Sequence, residues 1–347
     1  MAQQQAFKID GPFYSTLDTA AQGARDLAAI GYDGLYTLEG AHDPFYPLVL
    51  AAEHAPGMDI ATSIAVSFPR NPLHLAYQAL DLHTFSKGRF YLGLGSQIKP
   101  HIEKRFGIEF SPVAARMREQ ILAIKAIFNC FQNNEPLDFQ GKYYRHTLMT
   151  PMFNPGPCEY GLPPILTGGF GPKMCQMAGE AADGLIVHPF HTLPYIDECV
   201  LPNVRQGQSL RAANAEEFLL SFSAMVITGS SEQNVENAYN GVRSLIAFYG
   251  STPSYRPALD AVGFGDLQPE LNRLSKENKV QEMEALIPGE LVEQIAVIGE
   301  PGEVASKLLE KYGGLASRVG IYAPYYAEPE VWQGIISDIK RLQGRAD

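Results

Sequence analysis

The sequence predicts an α/β protein built as a (β/α)₈ barrel, the TIM-barrel architecture, with insertions. Three observations point that way. Strand-like and helix-like segments alternate from one end of the chain to the other. Eight strand-like runs are mostly apolar throughout, as strands covered on both faces are. The chain has 347 residues, enough for the roughly 250 of such a barrel plus insertions. An open, doubly wound sheet shares this alternation and is the alternative. The reading is of one domain over residues 1–347, with an insertion or lid at 250–290.

Each element has its own signal. Residues 8–14 form the first strand candidate. Residues 18–30 read as a helix because Leu17, Ala20, Ala24, Leu27 and Ala28 fall on one side, and Gly31 ends it. Residues 34–39 are the second strand and 47–53 a helix. Residues 60–68, rich in β-branched side chains, are the third strand. A helix over 72–85 stops at Lys87-Gly88, and 89–95 is the fourth strand. Residues 113–131 give a long helix, with Val113, Met117, Ile121, Ile124 and Phe128 recurring every three or four positions. Residues 137–150 read as an excursion with a short hairpin. The fifth strand (165–167), a glycine loop, a helix from Pro172 and the sixth strand (185–187) follow. The seventh strand spans 218–228 and its helix 232–249. Residues 251–288, punctuated by Pro253, Pro257, Gly263, Gly265 and Pro269, read as an insertion carrying short helices. A helix over 302–312, the eighth strand over 318–323 and a helix over 331–342 complete the chain.

Composition narrows the function. With 46% hydrophobic and 19% charged residues the chain is globular with ample core. No run of about 18 apolar residues occurs, so no membrane span is expected. The start, Met1-Ala-Gln-Gln-Gln, lacks a basic stretch followed by an apolar one, so a cytoplasmic protein is expected. Cys130, Cys158, Cys175 and Cys199 show no CxxC spacing and read as reduced thiols without zinc. A net charge of -11 argues against a nucleic-acid surface.

In a barrel, function gathers at the carboxyl ends of the strands. Gly168-Gly169-Phe170-Gly171 follows the fifth strand, and Pro172 opens the next helix. Glycines let the backbone approach a bound group, and the helix start favours an anion. Lys173 in the first turn opposes the dipole unless a phosphate meets it. The spacing is neither GxGxxG nor GxxxxGK[ST], and an ordinary strand–helix turn is the other reading. His42, His188 and His191 fall at strand ends, with His101 just beyond another. A three-histidine metal site would lack paired carboxylates and HxH spacing, so no metal is expected.

Further segments carry a resemblance. Residues 29–36 (AIGYDGLY), Ala61-Thr-Ser-Ile with Arg70-Asn-Pro, and residues 86–96 (SKGRFYLGLGS) resemble signatures of the bacterial luciferase-like superfamily. The loop at Gly168–Pro172 with Ala182-Asp-Gly is similar to its cofactor-phosphate loop. Arg116–Glu119 resembles the helix after its fourth strand. Residues 248–257 and 298–303 resemble a subgroup of F420-dependent oxidoreductases. The resemblance covers nearly the whole chain.

It implies a barrel binding FMN or coenzyme F420, with Gly168, Gly169, Phe170, Gly171, Pro172 and Lys173 at the phosphate. Ser63-Ile64 would lie against the ring, at a position where the family often has a bulge with a cis peptide. Gly95, Ser96 and Gln97 would line the ring's edge. Glu39 matches the acidic residue ending the second strand. Gly40 replaces the histidine that many deazaflavin enzymes carry next, with His42 two residues on, and Gln97-Ile98 stand where their second glutamate lies. The catalytic candidates are thus Glu39, His42, Gln97 and His188. Phe13, Phe45, Phe68, Phe190, Tyr325 and Tyr326 are candidates for a pocket wall. Hydride transfer between F420 (or FMN) and an organic substrate is the first reading. A monooxygenase fed reduced FMN by a separate reductase is the second, and a non-catalytic flavin-binding homologue the third. By the resemblance, family members are commonly dimers or tetramers, and a homodimer is expected. Lys173, Arg70 and Arg105 are candidates to offset the acidic surface near an anionic cofactor.

Overall fold

The computed structural model describes residues 6–211 and 217–345. Its eight central strands are β1 Lys8–Pro12, β2 Gly34–Thr37, β3 Asp59–Thr62, β4 Phe90–Gly95, β5 Ile165–Gly169, β6 Gly184–Val187, β7 Leu219–Ile227 and β8 Arg318–Tyr322. Each pairs in parallel with the next, and β8 returns to β1 with Arg318 opposite Lys8. The sheet therefore closes, which selects the (β/α)₈ barrel over the open sheet.

The surrounding helices are α1 Ala20–Ile30, α2 Tyr46–His54, α3 Pro72–Phe85, α4 Val113–Asn133, α5 Pro172–Ala181, α6 Leu201–Gln208, α7 Glu232–Gly250, α8 Pro301–Tyr312 and α9 Pro329–Leu342. Their starts follow local chemistry. Asn71 caps α3 by accepting a 2.8 Å bond from Leu73 N, and Pro72 follows in the first turn. Ser231 caps α7 in the same way through Asn234 N. The core is the layer between strands and helices, where Ile9, Leu35, Ile60, Leu92, Ile165, Leu185, Phe222 and Val319 are all buried.

The barrel floor is polar. Arg318 donates two hydrogen bonds to Asp10, at 2.7 and 2.5 Å, and one to Asp59 at 2.6 Å. Lys8 adds a 2.7 Å bond to Asp59. All three central residues are buried. Burial opposes the charge on Arg318, but Asp10 and then Asp59 override it and raise its pKa. The guanidinium also lies 5.0 Å from the Tyr91 ring centroid. Gly34 makes room for the pair, since a Cβ there would stand 2.5 Å from Asp10 Oδ1. The cavity left beside the cluster is about 20 Å³, space for a single water.

The structure departs from expectation in three places. The third strand is not continuous to Phe68. Ala61 pairs with Tyr91 and Ala65 with Leu94, so Thr62, Ser63 and Ile64 face only Leu92 and Gly93. That is a β-bulge, which pairing alone decides. A helical stretch precedes β7 where none was expected: Leu193–Tyr195, a wide turn over Ile196–Val200, then α6. Pro194 and Pro202 hid it, because proline reads as a breaker in a helix interior. The insertion carries helices Arg256–Asp260, Leu267–Lys276 and Val280–Ala285, and continues to a further one at Gly289–Ile295. The hairpin between α4 and β5 is present, with Phe139 opposite His146.

Removing Arg318 leaves the buried Asp10 carboxylate unpaired and Asp59 with Lys8 alone, so Arg318→Met should cost about 3–5 kcal/mol. The exposed pair Arg341–Asp338 should matter far less, with Arg341→Met within about 0.5 kcal/mol of the parent. Urea unfolding of both variants beside the parent checks this, and equal losses would refute it.

Candidate functional site at the barrel mouth

Two features of the strands shape the mouth. The first is the bulge in β3. Thr62 Oγ1 donates to Gly93 O at 2.8 Å and accepts from Gly93 N at 2.9 Å, so a side chain fills the broken ladder. A Cβ at Gly93 would collide with the Thr62 carbonyl oxygen. Beyond this clamp the Ser63–Ile64 peptide bond is cis. Ser63 N bonds Thr37 O at 2.6 Å, and Ile64 O accepts from Glu39 N at 3.2 Å.

The second feature is glycine on the neighbouring strands. A Cβ at Gly95 would stand 2.5 Å from Ile64 Cδ1, and one at Gly168 would stand 3.4 Å from Ile64 Cγ2. Ser63-Ile64, Gly95 and Gly168 thus meet at one spot from three strands. Ile64 is the side chain that a Cβ at either glycine would meet. The α5 start lies beside this spot. Gly171 has ordinary extended backbone, and a Cβ there would meet nothing within 4 Å. Its place is open to an incoming group, and the first N–H groups of α5 have no partner within the helix. Lys173 is exposed in the first turn and forms no ion pair among the described residues. Phe170 is buried, stacked on Tyr195 at 4.6 Å, and its carbonyl accepts the Tyr195 hydroxyl at 3.0 Å. Helix α5 is fixed from behind by glycines: a Cβ at Gly179 would strike Val204 O in α6, and one at Gly207 would strike Gln176 O in α5. The bare strand ends and the open helix start fit a flat ring carrying a phosphate group.

The other candidates are placed differently. Glu39 Oε2 accepts Val66 N at 2.7 Å and Arg70 Nη1 at 2.6 Å, while Arg70 Nη2 reaches Asp43 at 2.9 Å. Glu39 therefore pins the far side of the bulge, and Arg70 is committed to it rather than free for an anion. Arg105 donates to Gly40 O at 2.8 Å. His42 is exposed in a separate groove of about 210 Å³ with Tyr14, Thr37 and Asp43. Gln97 follows β4 in the left-handed region at φ +58. Phe45, Phe68 and Phe190 are core side chains, Phe190 packing behind Tyr249 and Tyr255, and Tyr326 is 79% exposed. Phe13 is buried at the edge of the His42 groove, and Tyr325 spans Val226 O and Thr228 N.

The two histidines after β6 divide their tasks. His191 is fully buried, with Nδ1 2.7 Å from His188 O and Nε2 3.1 Å from the Tyr312 hydroxyl. It is a structural residue. His188 Nδ1 accepts Phe190 N at 3.2 Å, so its proton sits on Nε2, which has no hydrogen-bond partner among the described residues. Its ring stacks on Tyr255 at 4.4 Å and meets Tyr249 edge-on at 4.7 Å. Burial, then His191, pushes its pKa down to about 3, so it stays neutral at ordinary pH. Tyr249 and Tyr255 lie in the segment 248–257 that carries the family resemblance, but no site role was read for them or for Tyr14 and Tyr322, because contacts distant in sequence bring these tyrosines together.

Burial also lowers the His191 pKa to about 3. Between that value and the unfolded value of about 6.5 the unfolded chain binds the extra proton. Stability therefore rises with pH across this window and is lost as pH falls. The Tm should drop from pH 7 to pH 4.5, and His191→Gln should flatten that slope even if it lowers Tm at pH 7. An unchanged slope would refute the assignment.

Known proteins resemble this chain in sequence and in fold. An uncharacterised protein of Mycobacterium tuberculosis is 42% identical over 319 residues, covering 92% of this chain and 94% of its own length. The 5,10-methylenetetrahydromethanopterin reductase of Archaeoglobus fulgidus is 24% identical over 250 residues, covering 69% of this chain and 70% of the relative. The structure of the coenzyme F420-dependent tetrahydromethanopterin reductase from Methanopyrus kandleri superposes with a TM-score of 0.77 at 17% identity. That match covers 98% of this chain and 99% of the other and shows a shared fold. A family model described as luciferase-like monooxygenase matches residues 2–318, and the chain belongs to that family.

Proposed function

We propose that the protein is an oxidoreductase transferring a hydride between coenzyme F420, or FMN, and a small organic substrate at the barrel mouth. The observation that carries this reading is the convergence of Ser63-Ile64, Gly95 and Gly168 beside the open start of α5. In this reading Gly168 to Lys173 hold the cofactor phosphate, and Ile64, Gly95 and Ser96 support the ring. The bound cofactor would supply the hydride chemistry. The protein would supply position and shelter. Glu39 acts through the bulge it holds and is a positioning residue. His188 offers a neutral Nε2–H donor, Gln97 borders the mouth, and His42 stays in its own groove beside it. Residues 250–290 act as a lid, with Tyr255 stacked on His188. The reductase relative from Archaeoglobus fulgidus and the F420-dependent reductase structure from Methanopyrus kandleri support hydride transfer. The reading takes the protein as a cytoplasmic homodimer.

The family's own description favours a second reading, an FMN-dependent monooxygenase supplied by a separate reductase. A deazaflavin does not readily activate oxygen, so the cofactor chooses between them. Among the described residues no helix is long and apolar enough to cross a membrane.

Fluorescence titration of the purified protein with F420 and with FMN tests the proposal. Micromolar F420 binding is expected. Gly171→Asp should abolish it by placing a carboxylate at the phosphate position, and Lys173→Ala should weaken it about three- to tenfold. Binding of FMN alone would shift the assignment to the monooxygenase. Unaltered binding by both variants would remove the phosphate assignment.

A further inference from the structure

The mouth is asymmetric. Over β4 and β5 it is bare backbone. Over β6 and β8 it is lined by rings. Ile186, Arg318 and Gly320 line the central cavity, so by two-residue alternation His188 and Tyr322 face the same interior one layer higher. Tyr249 reaches in from α7, and its hydroxyl lies 2.9 Å from that of Tyr322. Both tyrosines are only half-buried.

Proton accounting fixes what this pair offers. Two hydroxyls carry two protons, and one proton joins them. Neither hydroxyl has another partner among the described residues. One donor is left over, and it is polarised because its own oxygen already accepts a bond. The charges of the floor below, Arg318, Asp10 and Asp59, are paired with one another. Burial raises the phenol pKa values of Tyr249 and Tyr255, with only other tyrosines as further causes. For His188 only burial and His191 act. No carboxylate, lysine or arginine bears on this wall through those groups. A charged ligand placed here would lose water and gain no counter-ion. The stacked and edge-on rings of His188, Tyr249 and Tyr255 suit a flat or apolar body.

We propose that the Tyr249–Tyr322 hydroxyl pair holds the oxygen of an uncharged, largely apolar carbonyl compound or alcohol. The inference rests on the barrel mouth being the substrate site and names the class of substrate it takes.

Three probes of similar shape separate the possibilities: acetophenone, ethylbenzene, which lacks the oxygen, and benzoate, which is charged. Their affinities are compared by ligand-observed NMR titration of the purified protein. Acetophenone should bind roughly tenfold more tightly than ethylbenzene, as one added hydrogen bond allows, and benzoate should bind more weakly than either. The Tyr249→Phe/Tyr322→Phe double variant, which keeps both rings, should bind acetophenone no better than ethylbenzene. Each single variant keeps a lone hydroxyl and should retain part of the preference. The proposal is overturned if the double variant keeps the full preference, if benzoate matches acetophenone, or if the parent binds none of the probes. FMN and F420 are titrated into the same proteins. Failure of both cofactors to bind the parent would remove the oxidoreductase reading alone, because the probe ratio judges the tyrosine pair by itself.

Discussion

A buried guanidinium ties the last strand of the barrel to the first. Arg318 sits on β8, Asp10 on β1 and Asp59 on β3, and the three bonds among them cross the floor. Closing a sheet of eight strands brings together chain segments some 300 residues apart, and the entropy of that closure must be offset by contacts that exist only in the closed form. Apolar burial between strands and helices supplies most of that offset but has no direction. The ion cluster has direction: bidentate geometry on Asp10 fixes β8 against β1 in one register. Gly34 is small because this cluster needs its volume.

The floor being filled, the barrel opens only upward, and the mouth inherits an uneven wall. The bulge in β3 pushes Ser63-Ile64 over the glycines of β4 and β5, and Thr62 repairs the ladder beneath them. Glu39 and Arg70 hold the other edge of the bulge with charge-assisted bonds. A flat group has bare backbone on this side. On the opposite side His188 and the tyrosines present rings and a single spare hydroxyl proton. In the proposed reading one half of the mouth takes the cofactor and the other an uncharged partner molecule. Helix α5 joins the two, since Phe170 at its start packs against Tyr195 and Tyr255.

Much of the fold was legible because its signals are local. Alternating apolar runs gave the strands, and the Asn71-Pro72 and Gly171-Pro172 junctions marked helix starts. The stretch over residues 193–208 was not legible, because Pro194 and Pro202 break the pattern while the wide turn over Ile196–Val200 absorbs them. In the site, the glycine positions and Ser63-Ile64 were legible as a family pattern. Arg70 was misread as a free cation because a sequence shows a charge but not its partner. The sequence leaves open whether the candidate phenylalanines pack in the core or line a wall, because aromatic content does not reveal which way a side chain faces; Phe45, Phe68 and Phe190 pack in the core.

The sequence by itself determined the alternation of strands and helices, the glycine loop at the start of α5 and the family to which the chain belongs. Each is written in residue types at short spacing, where backbone preference and periodicity act directly. Only the tertiary structure decided that Thr62 clamps Gly93, that Glu39 is bound by Arg70, and that Tyr249 and Tyr322 meet. Those contacts join residues from about 30 to more than 70 positions apart. Nothing in local propensity encodes them; strand pairing, one extra residue in β3 and closure of the barrel bring them together.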